Sequence, residues 1–172
     1  MKKVYTYLLI GCLFTTLDLS IGGLHLLPDS IGYLLIVIGA YLGEKHQRIQ
    51  EMVQAKYLGI ALIVYSLIYP FLQEAAGNET LWPLVSLSLT AQLATLYLFY
   101  SLIKAEYIWH PQTQTRLFIT NYLTLGIIQF VATCLSYFVP VLGILSGALA
   151  LISAIYLIYI FYTLREQQST PE

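Results

Sequence analysis

Apolar residues along this chain of 172 fall into long runs separated by short polar stretches, without the strict apolar–polar alternation of an outer-membrane strand. Six runs stand out, at 4–27, 28–43, 57–72, 81–103, 117–138 and 141–164. A hydrocarbon core of roughly 30 Å takes about 20 residues of helix, so each run is read as a membrane helix. The second run is short, and Pro28 suits its first turn, where a fixed φ and a missing N–H cost nothing. Only the stretch 138–143 around Pro140 separates the last two runs, which together are too long for one crossing. The pattern predicts an all-α polytopic membrane helix bundle: a single domain, 1–172, of six transmembrane helices arranged as three hairpins.

The longest internal polar stretch, 44–56, carries Ile49, Met52 and Val53 at helical spacing. It is expected to be an amphipathic connection, either a short surface helix or an extension of its neighbours. Composition fits this picture, with 58% apolar residues and only 10% charged, where a soluble domain carries about 25% charged. A secreted disulfide scaffold, a nucleic-acid binder and a disordered tail are all excluded. Cys12 and Cys134 each lie within an apolar run and are read as small core residues.

Charge placement supplies an orientation. The eight basic residues are Lys2, Lys3, Lys45, Arg48, Lys56, Lys104, Arg116 and Arg165. With six spans they all fall on one side, and the first, third and fifth connections carry none. By the positive-inside rule both termini are expected in the cytoplasm of a bacterial cell, with the protein in its cytoplasmic membrane. The run after Lys2-Lys3 is read as a retained span, because only five residues separate Lys3 from Leu9 and the apolar run continues well past Cys12. Tyrosines and the two tryptophans concentrate near the span ends, as an interfacial belt does.

Each hairpin turns near a proline, Pro28, Pro83 and Pro140, at intervals of 55 and 57 residues. That spacing suits either an internal repeat or any string of membrane hairpins.

The first hairpin holds the unusual chemistry. Asp18 lies about 22 Å along the helix from Lys3, at 1.5 Å per residue, well inside the bilayer. A carboxylate there is costly unless it is neutralised or hydrated, and every base is on the far side. Three outcomes stay open: protonation, contact with His25, or exposure to a polar cavity holding water or a cation. Gly11, Thr15, Asp18 and Gly22 form a small-and-polar stripe that His25 extends. Gly22 and Gly23 loosen the helix before Pro28 ends it. Interrupted helices beside an intramembrane acid often mark binding sites, so the candidate polar site is Thr15, Asp18, Gly22, Gly23, His25, Pro28 and Asp29. The alternative is that Asp18 bonds a neighbouring helix and locks the fold. Asp29 also suits the free amides and dipole at the start of the second helix. No metal site or cofactor is expected, since Asp18, His25 and Asp29 straddle a helix break and lack a fourth ligand.

Small residues predict packing faces: Gly32, Gly39 and Gly43 on the second helix, and Gly143, Gly147, Ala150 and Ala154 on the sixth. Gln92, Asn121 and Gln129 could line a polar path, or could serve as interhelical hydrogen bonds.

The segment from Asp18 through Leu27-Pro28-Asp29-Ser30-Ile31-Gly32-Tyr33 resembles a motif of small uncharacterised bacterial multi-pass membrane proteins, in which an acid in the first span precedes an LLPDxIGYxLI segment. The likeness covers about 20 residues and implies kinship without implying an activity.

HExxH, GxSxG, CxxC and P-loop motifs are absent, so an enzyme is not expected. Two classes of function fit. One is a small transporter or lipid-handling protein, with Asp18 responding to a proton, small cation or lipid ligand in the bilayer. The other is a non-catalytic membrane partner, such as an accessory subunit, immunity factor or sensor, that binds a second membrane protein.

Overall fold

A computed structural model describes residues 2–16, 27–46, 48–76, 82–109, 111 and 113–167. Among them the chain is all-helical, with six helices and no strand. These are α1 (Lys2–Thr16), α2 (Leu27–His46), α3 (Gln50–Ala76), α4 (Trp82–Trp109), α5 (Thr113–Ser136) and α6 (Leu142–Gln167). Helices α3, α4, α5 and α6 are each long and apolar enough to cross a membrane, and α1 contains a shorter apolar helix. Helix α2 is apolar in its middle, but it carries Asp29 in its first turn and Lys45 in its last.

The helices outrun the hydropathy pattern mainly at the polar end. Residues 44–56 form no separate surface helix: α2 runs on to His46, α3 starts at Gln50, and only a short connection remains between them. Glu44 on α2 and Lys56 on α3 pair at 2.6 Å, while Glu51 on α3 and Lys104 on α4 pair at 3.0 Å. Polar side chains thus continue the helices past the apolar runs and join neighbours outside them. At the opposite end, Pro28 and Pro83 fall in the first turns of α2 and α4. Pro140 sits in the turn just before α6, where the amides of Leu142 and Gly143 bond the carbonyls of Val139 and Pro140.

Consecutive helices pack antiparallel, and α6 returns to pack on α1, so the six form a closed ring in chain order. Both α1 and α6 therefore have their terminal ends on one side, here called the basic end. Every described Lys and Arg lies there, at the start of an odd-numbered helix, the end of an even-numbered one, or the connection between α2 and α3.

The tightest joint is α1 against α2. A methyl group on Gly32 would lie 2.5 Å from Thr15 Cγ2 and 2.9 Å from the Gly11 carbonyl oxygen. The stripe of Gly11 and Thr15 therefore faces the glycine face of α2, backbone against backbone. The expected counterpart on α6 is different. Nothing lies within 4 Å of a methyl group built on Gly147, and Gly143 meets only Ser136 at 4.0 Å. Those small residues leave space instead of seating a helix.

Packing is uneven along the ring axis. The buried core gathers Tyr5, Leu8, Cys12, Ile36, Ala40, Met52, Ala55, Leu102, Ile103, Phe161 and Leu164, all toward the basic end. Outward-facing apolar residues are exposed along the whole ring, among them Leu67, Phe71, Val131 and Ile144 toward the opposite end and Tyr57, Ile108, Leu117 and Ile155 toward the basic end, as suits helices that face lipid chains.

Candidate functional site

At mid-depth a half-open chamber of about 430 Å³ lies among α1, α4, α5 and α6. Gln92, Thr95, Leu96 and Phe99 of α4 form one wall, Tyr122, Gly126 and Gln129 of α5 a second, and Gly147, Ala150 and Ser153 of α6 a third, with Thr15 of α1 closing the ring. The open face of α6 creates this space, because Gly147 and Ala150 carry too little side chain to fill it.

Its floor is aromatic. Phe99 meets Tyr122 edge-on, with ring centroids 6.5 Å apart, and Phe161 lies 6.4 Å from Phe99 on the side of the buried core. Such offset and edge-to-face pairs hold large rings in fixed places. They separate the chamber from the basic end.

The polar lining is partly committed to other bonds. Gln92 Nε2 donates to Thr133 Oγ1 at 3.3 Å, and Thr133 shares a 2.7 Å hydrogen bond with Ser146, which joins α4, α5 and α6. Thr15 Oγ1 turns back onto the carbonyls of Gly11 and Cys12, as a helical threonine does. Ser153 behaves otherwise. It is 7% exposed, lines the chamber, and its buried hydroxyl has no hydrogen-bond partner among the described residues. A buried hydroxyl left unbonded costs about 1–3 kcal/mol, so it is a ready donor and acceptor for an occupant.

The residues expected from sequence divide into groups. Asp18, Gly22, Gly23 and His25 lie outside the described residues. Thr15, Gln92 and Gln129 come together at the chamber. Asn121 does not join them: it is exposed on another face of α5 and donates to the Tyr156 hydroxyl at 3.2 Å. Asp29 and Pro28 belong to the start of α2, and Asp29 lines a second cavity, between α2 and α3. The two cavities meet at one contact, the 3.0 Å hydrogen bond between Tyr33 of α2 and Thr95 of α4.

Two features escaped the sequence. Ser153 sits in an apolar run with nothing to single it out. Glu106 is 3% exposed and accepts a hydrogen bond from the Tyr5 hydroxyl. It was hidden in a segment that looked like a polar connection. Extending α4 by its own periodicity would have found it, since Leu102, Glu106 and Trp109 share a face. Among the described residues, no group of three His, Cys, Asp or Glu side chains could hold a metal ion.

Compared with known proteins, the chain matches no family model, no curated protein and no solved structure. The chemistry of the site therefore rests on its own residues.

Proposed function

We propose that this protein is a small transporter of the bacterial cytoplasmic membrane, with six spans and cytoplasmic termini, that moves a small solute through the mid-depth chamber. The observation that carries the proposal is the asymmetry of the ring. It is tightly packed and aromatic on the basic side of the chamber, and loosely packed beyond it. A site held near the bilayer midplane, closed toward one face, is what alternating access requires. A filled bundle would have favoured the membrane-partner reading, and a chamber of this size speaks against that. Glutamine and threonine on its walls offer a polar solute hydrogen bonds, beside apolar Leu96, Phe130, Leu151 and Leu157.

The orientation rests on all described bases lying at one end, which the positive-inside rule places in the cytoplasm. In this reading Asp18, which follows the chamber-lining Thr15 closely in the sequence, is the proton- or cation-responsive group. Kinship with the bacterial proteins carrying the LLPDxIGYxLI segment belongs to the same proposal. No catalytic step is assigned.

Ion and proton flux in proteoliposomes tests the reading. Wild type is expected to carry flux, Asp18→Asn to lose it while remaining folded, and Gln92→Leu to lower it. Wild-type vesicles that are silent to protons, common inorganic cations and small organic cations would overturn transport and return weight to the partner reading.

A further inference from the structure

The second cavity, of about 670 Å³, opens between α2 and α3 toward the end of the ring opposite the bases. Its walls carry three tyrosines, Tyr33, Tyr65 and Tyr69, and two carboxylates, Asp29 and Glu74. The Tyr65 and Tyr69 rings lie 5.1 Å apart with their planes tilted by 31°, packed against each other along one wall. Pro70, inside α3, has no N–H for the Ser66 carbonyl four residues earlier, so an acceptor without its usual helical donor adjoins the same wall.

We propose that this cavity binds an organic cation bearing an alkylammonium group of about the size of choline. Two carboxylates, at an end where the described residues include no Lys or Arg, set the sign of the ligand. The tyrosine faces set its chemistry, because ring quadrupoles attract a bulky, weakly hydrated ammonium. The lining does not suit a bare calcium or magnesium ion, which takes six or more oxygens at about 2.0–2.6 Å, where two carboxylates line a space of this volume. The shared Tyr33–Thr95 hydrogen bond places the cation beside the chamber. The inference thus deepens the transport reading by naming the substrate class, and rests on it only for movement beyond this cavity.

Titration calorimetry of the full chain in phosphatidylglycerol nanodiscs tests binding apart from transport. The probe is choline, and its neutral isostere 3,3-dimethylbutan-1-ol is the control. Choline is expected to bind and the isostere not to. Tyr65→Leu or Tyr69→Leu should weaken choline about 3- to 30-fold, the range for a cation over one ring, with Tyr65→Phe close to wild type. Glu74→Gln, at an exposed position, should weaken binding without unfolding the protein. Equal binding of choline and isostere, no binding of either, or choline binding unchanged by both Glu74→Gln and a well-folded leucine variant would overturn the proposal. Repeating the titration in phosphatidylcholine nanodiscs identifies the source: a lowered apparent affinity assigns the ammonium to a lipid headgroup, and an unchanged one to a free solute. Choline binding in a protein that shows no flux would overturn transport and leave this site standing.

Discussion

The hydroxyl of Tyr5, at the start of α1, donates to the carboxylate of Glu106, near the end of α4, and so ties together two helices that are not neighbours in the ring. Both residues are almost wholly buried. Tyr5 is one partner of Glu106 among others, and together they pin the basic end on which the chamber floor stands. Tyr5→Phe should lower stability by about 1–3 kcal/mol, the cost of withdrawing a donor from a buried carboxylate. Thermal unfolding in detergent would show it. A double-mutant cycle with Glu106→Gln should give a coupling energy clearly different from zero. Additive effects would mean that the two side chains are merely close.

Glycine substitutions should separate the two small-residue faces. Gly32→Ala meets Thr15 Cγ2 at 2.5 Å and backbone at 2.9 Å, so α1 and α2 must move apart. Overpacking of this kind costs about 1–3 kcal/mol. Gly147→Ala meets nothing within 4 Å and should be neutral or stabilising by about 0.5–1 kcal/mol from helix propensity. Melting temperatures of the pair in one detergent decide the matter, and similar losses in both would contradict the open face of α6.

Filling the chamber should stop transport without unfolding the protein. Gly147→Leu places a branched side chain into space now lined by Gln129 and Ser153. Flux in proteoliposomes is expected to fall at least tenfold while the melting temperature stays within a few degrees of wild type. Full flux in a folded variant would remove the chamber from the route.

Topology can be read with an impermeant thiol reagent on intact cells, after Cys12 and Cys134 are replaced by alanine. Val139, in the turn between α5 and α6, is 48% exposed, and Val139→Cys should be labelled. Gln114, at the exposed start of α5 on the basic end, should be labelled as Gln114→Cys only after the cells are opened. The reverse result would invert the orientation.

The helices were legible because bilayer-length apolar runs leave few alternatives, and their order around the ring follows from short connections. The stripe of Gly11 and Thr15 against Gly32 was legible too, since close backbone approach demands residues without bulk. The same logic failed on α6. Gly143 and Gly147 have the same spacing, yet a small residue only permits an approach, and whether a partner takes it up depends on how the ring closes. Gln92 and Gln129 reached the chamber, while Asn121 turned outward to Tyr156, because polar residues on one helix need not share a face with polar residues on another. Glu106 was missed because hydropathy marks where the apolar run stops, while α4 carries on for another turn and buries the polar residue it meets there.

Ring closure has a consequence for synthesis. Five of the six joints join consecutive helices, so they can form as the chain emerges, but the joint between α6 and α1 waits for the last helix. The third wall of the chamber, Gly147 through Ser153, arrives with that helix. Until then the nascent protein has glycine-sealed pairs and an unpaired flank on α1, but no mid-depth chamber. Whatever the mid-depth chamber holds, it can begin to hold only once α6 has been made and has docked.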